Sequence, residues 1–168
     1  GSYSIRLADN SGTQSAMTSP VFNLSNATGL EIEFYFKAVS METGEDFWIQ
    51  YKNGSGAWTT IGQAIAGTHF NNNTFYVATQ TVPGFVPTTA GSLRIQCDAS
   101  DDSDKIFVDA VKITKFTGPA LIKEGIQIKT ILELPDAPVD TISSNEIAEP
   151  TVYPNPVNDV LHIAFDGD

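Results

Sequence analysis

The sequence predicts an all-β fold, an antiparallel β-sandwich, on three observations. Apolar and polar residues alternate with period two along most of the first 116 residues. Clusters of Gly, Asn, Asp and Pro separate these runs, and no stretch carries the apolar spacing of an amphipathic helix. Period two puts successive side chains on opposite faces of a strand, so each run has one buried and one wetter face. A hydrophobic fraction of 41% over 168 residues is enough apolar material for a core.

Taken in order, Tyr3, Ile5 and Leu7 alternate with Ser4, Arg6 and Ala8, and the corner Asp9-Asn10-Ser11-Gly12 ends that strand. Leu30, Ile32, Phe34 and Phe36 alternate with Glu31, Glu33, Tyr35 and Lys37. Phe47, Ile49 and Tyr51 alternate with Trp48, Gln50 and Lys52 as far as the turn Asn53-Gly54-Ser55-Gly56. Asn71-Asn72-Asn73 and Pro83-Gly84-Phe85-Val86-Pro87 mark later corners, because Gly and Asn tolerate positive φ and Pro cannot donate to a ladder. Leu93, Ile95 and Cys97 then alternate with Ser92, Arg94 and Gln96. The run Ile106 to Phe116 closes the unit, with Phe107, Asp109, Val111 and Ile113 expected on one face. About eight such strands predict a jelly-roll sandwich over residues 1–116.

Beyond Phe116 the texture changes. Residues 117–150 hold a Thr117-Gly118-Pro119 break, one further strand around Ile126 and Ile128, and a Pro-, Asp-, Ser- and Glu-rich stretch that reads as an exposed linker. Residues 151–168 carry a turn and an alternating run from Val160 to Phe165, the expected opening of a second, small β-sandwich domain.

Charge removes several functions. Twenty acidic residues against nine basic ones give a net charge of −11, which argues against nucleic acid, whose phosphates call for a basic face. No apolar run reaches the ~20 residues that span a bilayer, so membrane insertion is not expected. Cys97 stands alone, which excludes an intrachain disulfide.

The acids themselves are unevenly placed. Asp98, Asp101, Asp102 and Asp104 lie just before the last strand, and the phase of that strand turns Asp109 inward among apolar residues. A buried carboxylate must be paired or bound to a cation. Calcium, a hard cation that takes several oxygen ligands in flexible loops, fits such a set. Asp9, Glu42, Glu45 and Asp46 are available to join it. Asp101, Asp102 and Asp104 equally fit a solvated hairpin tip, and no EF-hand spacing is present. As a hydrolase fragment the chain would need two carboxylates facing across a cleft, which sequence does not display. His69 and His162 stand apart from any nucleophile motif, so no enzyme activity is expected. Among the aromatics, Trp48, Trp58 and Tyr76 are candidates to stack on the sugar rings of a polysaccharide or cell-surface ligand, core packing being their alternative use.

Two resemblances follow. Tyr153-Pro154-Asn155-Pro156-Val157-Asn158-Asp159-Val160-Leu161-His162-Ile163 resembles the start of the C-terminal sorting domain that takes cargo through the type IX secretion system of Bacteroidetes. That resemblance implies recognition by the type IX translocon and shuttle proteins through Tyr153, Pro154, Asn155 and Pro156. It also implies passage through the periplasm and outer membrane to the cell surface or medium. The family's later strands do not follow, which implies a fragment. Residues 1–116 resemble the carbohydrate-binding and MAM-like jelly-roll accessory modules of secreted Bacteroidetes proteins. The resemblance is carried by Gly1-Ser2-Tyr3-Ser4-Ile5-Arg6-Leu7, Ser40-Met41-Glu42, Gly44-Glu45-Asp46-Phe47 and Ile106-Phe107-Val108-Asp109-Ala110-Val111. It implies a non-catalytic module with a structural calcium held by Asp9, Glu45, Asp46 and Asp109. The alternative is a ligand-free cargo or spacer domain read by the secretion machinery through its tail. Asp140-Thr141-Ile142 resembles the Bacteroidetes O-glycosylation acceptor, which implies Thr141 as the modified residue.

Overall fold

A computed structural model describes residues 4–8, 15–101, 103–118, 125–131 and 160–162. Within them lie strands β1 (Ile5–Ala8), β2 (Ala16–Thr18), β3 (Gly29–Val39), β4 (Asp46–Asn53) and β5 (Thr59–Ile65). They continue with β6 (Phe75–Thr81), β7 (Gly91–Asp98), β8 (Lys105–Phe116), β9 (Gln127–Thr130) and β10 (Val160–His162), with no helix among the described residues.

The strands make two antiparallel sheets packed as a sandwich. One sheet runs β1-β8-β3-β6-β9, and β10 also pairs with β8; the other runs β2-β7-β4-β5. β1 covers β8 from Lys105 to Val108, while β10 lies along Lys112 to Thr114 of the same edge. The remainder of the expected sorting segment, with Tyr153 to Pro156, lies outside the described residues, as does the linker with Thr141.

The predicted alternation is realised in the long central strands. Leu30, Ile32, Phe34 and Phe36 of β3, Phe47, Ile49 and Tyr51 of β4, and Leu93, Ile95 and Cys97 of β7 are all buried. Their inward faces meet in an aromatic cluster, with Phe36 4.9 Å from Phe47 edge-on, 5.5 Å from Phe70 and stacked 5.3 Å from Tyr76. Such pairs add to the area term that holds the two sheets together.

β8 departs from its predicted phase. Ile106 and Val108 are buried, as are Val111 and Ile113, while Asp109 and Ala110 are exposed. The cause is a bulge: Tyr35 faces Asp109 and Glu33 faces Lys112, so three steps along β8 match two along β3. Ala110 takes a positive φ of 48° there, and the face buried on one side of the bulge is out of phase with the other. Asp109 is therefore not an inward carboxylate, and its Oδ1 accepts a 2.7 Å hydrogen bond from the Ala110 amide.

Candidate metal centre and binding face

At one end of the sandwich the chain crosses from β3 to β4 through Ser40–Glu45. The crossing is tight: Ser40 and Gly44 both have positive φ, 67° and 101°, the second of which suits only glycine without strain. The Met41 amide donates to Asn72 Oδ1 at 3.1 Å, and Asn72 Nδ2 donates to the Met41 carbonyl at 2.7 Å. Asn72 belongs to the return crossing from β5 to β6, so one amide side chain clamps two loops together. Within the turn the Glu45 amide donates to the Glu42 carbonyl at 3.1 Å, and the Glu42 amide donates to Glu45 Oε2 at 2.8 Å.

The loop between β7 and β8 meets this turn. Ser100 N donates to Glu45 Oε1 at 2.8 Å, and Asp101 N donates to Asp104 Oδ2 at 3.0 Å. Ligand atoms of Glu42, Glu45 and Asp104 all lie within 4.8 Å of one another. Asp104 is fully buried, and its Oδ1 has no hydrogen-bond partner. Beside this group, Glu42 to Asp46 and Asp98 to Ser100 line an open depression. Asp46 is also buried there, with Oδ2 accepting from Gln63 Nε2 and Oδ1 unpartnered.

Burial and mutual repulsion oppose ionisation at the site, with Lys105 a smaller counter-charge on Asp104. A hydrogen bond shared with Glu45 raises the Glu42 pKa, helped by the charge of Asp104. Burial, then Glu45, raises that of Asp104. Burial also disfavours ionised Glu45, but bonds from Ser100 and Glu42 outweigh it and leave its pKa lowered. Burial and Asp46 raise Asp98, which sits directly across from Asp46 on β7. Beneath them the buried Cys97 thiol is pushed up to about 12 by burial and by the charges of Glu45, Asp104, Asp98 and Asp46, which keeps it in its unreactive protonated form.

Of the acids expected to act as ligands, Glu45 and Asp104 are brought together and Asp46 lies in the adjoining depression. Asp101 is exposed and its Oδ1 instead accepts from Ser103 N at 2.9 Å. Asp109 lies four residues into β8 from Lys105, roughly 13 Å along the strand, and does not join the group. Asp9 and Asp102 lie outside the described residues. The donor set is all carboxylate, with one desolvated, unpartnered oxygen, a chemistry that suits a hard divalent cation.

A second feature occupies the outer face of the four-stranded sheet. On β4 the outward positions are Asp46, Trp48, Gln50 and Lys52; β7 sets Asp98, Gln96, Arg94 and Ser92 directly opposite them. Arg94 Nε donates to Gln50 Oε1 at 2.7 Å, and Gln50 Nε2 donates to Thr60 Oγ1 at 3.2 Å. Trp58 lies beside β4, with the Arg94 guanidinium 4.6 Å and the Lys52 ammonium 5.2 Å from its ring centre. Trp48 is half-buried between Gln96 and Gln63. Tyr76, by contrast, is a core residue: its ring packs on Phe36 and its hydroxyl accepts from Asn71 N at 2.9 Å, so it offers no face to a sugar. The roles of Arg94, Gln50 and Gln96 have no local sequence signal, because β4 and β7 become neighbours only through the topology.

No protein-family model matches the chain, and no curated protein is significantly similar to it.

Proposed function

We propose that the chain is a non-catalytic, calcium-stabilised jelly-roll module of an exported protein that binds glycan on the outer face of its four-stranded sheet. The strand orders β1-β8-β3-β6 and β2-β7-β4-β5, with the chain passing repeatedly between sheets, support the jelly-roll reading. Trp48 and Trp58, set among the amides of Gln50, Gln63 and Gln96, support the glycan reading, since flat rings bordered by amides suit sugar faces and hydroxyls.

The observation that carries the proposal is the buried, unpartnered Asp104 Oδ1 within ligand distance of Glu42 and Glu45. Leaving such a group unsatisfied costs about 1–3 kcal/mol, more when it is charged. A bound cation removes that cost and the repulsion among the three carboxylates together. The test is thermal unfolding of the protein in excess calcium and in excess chelator. A cation bound only by the folded state adds about 2.7 kcal/mol at 100 times its dissociation constant. A midpoint several degrees higher in calcium, with the rise lost in Asp104→Ala, is expected; identical curves would sink the site.

The sorting motif Tyr153-Pro154-Asn155-Pro156, followed by a strand at Val160–His162, favours the further reading of export by the type IX machinery. In that reading the protein reaches the cell surface through the periplasm. A reporter fused to the full tail should appear at the surface of a type IX-competent cell and stay inside a translocon mutant.

A further inference from the structure

The outer face of the four-stranded sheet is electrically polarised. At one end stand Asp46 and Asp98, one buried and one half-buried, beside the Glu42 and Glu45 turn. Toward the other stand Arg94, opposite Gln50 and roughly 13 Å from Asp46 along β4, and Lys52, six residues and roughly 20 Å from Asp46. Between them lie uncharged groups: Trp48, Gln50, Gln63 and Gln96.

The cationic end is unusual for this chain, in which acids outnumber bases by 20 to 9. Among the described residues neither Lys52 nor Arg94 has a carboxylate partner. Arg94 is held in place nonetheless. Its Nε is fixed by Gln50 and its plane lies over Trp58, which leaves the terminal nitrogens as a fork with no protein acceptor among the described residues. A guanidinium fixed at its stem with a free fork is the arrangement that binds a carboxylate or sulfate bidentately. Burial lowers the Arg94 pKa, but a guanidinium remains protonated in proteins at neutral pH, so Arg94 is a partly desolvated cation.

We infer that the glycan bound on this face is anionic, with a uronate carboxylate or sulfate ester seated on Arg94 and Lys52 and neutral ring faces lying toward Trp48. The direction is set by charge, because the same group placed at Asp46 and Asp98 would meet two carboxylates. This inference rests on the glycan-binding reading above and specifies its ligand class.

The experiment titrates the calcium-loaded protein with matched tetrasaccharides, too short to gel. Oligogalacturonate is paired with its methyl ester, and a sulfated galactan fragment with its desulfated form. The expected result is binding of at least one charged member roughly tenfold or more tighter than its neutral twin, the size of one charge-assisted hydrogen bond. Arg94→Gln and Lys52→Gln should each erase that preference, and added salt should weaken it. Equal binding of charged and neutral members overturns the inference and leaves the glycan reading standing. No binding of any sugar by a protein that still melts cooperatively overturns both. Tighter binding of a single-stranded oligonucleotide than of every sugar overturns the ligand class, since stacking on Trp58 and a free guanidinium also suit a base and its phosphate.

Discussion

Asp104 is fully buried, one of its oxygens has no partner, and the carboxylates of Glu42 and Glu45 lie beside it. Without a cation, Asp104 and Glu42 hold protons more tightly folded than unfolded, because their pKa values are raised. Their contribution to stability is present below the ordinary carboxylate range and is lost as pH rises through the raised folded values. Glu45 acts in the opposite sense: its contribution is present above the ordinary range and lost as pH falls through its lowered value. A calcium ion needs all three deprotonated, so binding releases the protons that Asp104 and Glu42 retain. The stability gained from calcium should therefore be large at neutral pH and fall away as pH drops toward about 4. Midpoints measured with and without calcium across that range check this; an increment undiminished below the carboxylate range would contradict it. In the sequence, Glu45 and Asp104 could be read as ligands because each sits at a visible corner. Asp109 could not be placed, since its orientation depends on a backbone irregularity that leaves no mark in a pattern of apolar and polar letters.

That irregularity belongs to the strand. β3, β4 and β7 keep one phase throughout, and their apolar faces were legible residue by residue even though Asp46, Gln50 and Ser92 on the other phase are buried as well, whereas β8 changes phase at Asp109 and Ala110. Both halves of β8 are apolar on alternate positions, so a reader who assumes one continuous strand assigns one half to the wrong face. The bulge holds Ala110 at φ 48°, a left-handed conformation that costs an L-residue roughly 1–2 kcal/mol and glycine little. Glycine's extra unfolded-state freedom, about 0.5–1 kcal/mol, offsets part of this. Ala110→Gly is thus expected to raise stability by roughly 0.5–1 kcal/mol in denaturant unfolding. Ala110→Val should lower it, because a β-branched side chain tolerates this region worse still. A destabilised glycine variant would mean the bulge is not under strain.

At the scale of the whole molecule, the sandwich is built from distant pairings that only the topology reveals. The sequence disclosed how many strands to expect and which faces they bury, but not that β8 lies between β1 and β3 or that β7 borders β4. Consequently the acidic corner was half visible and the Arg94 face was not. β10 pairs only with β8 among the described residues, at its edge beyond the half that β1 covers. A chain ending at Ile131 should therefore keep its cooperative melting and its response to calcium. Its bared β8 edge at Lys112 to Thr114 should favour self-association, visible as a concentration-dependent sedimentation coefficient. Loss of folding on this truncation would show that the tail strand is integral to the sandwich.

The paired hydrogen bonds between Asn72 and Met41 bear on how such a corner acquires an ion. They close the β3–β4 and β5–β6 crossings with the chain's own groups, so the turn that carries Glu42 and Glu45 is ordered without a cation and that part of the ordering entropy is met in advance. Folding and loading thus become separable events. The corner can take shape in a compartment poor in calcium and fill later in one that is rich in it.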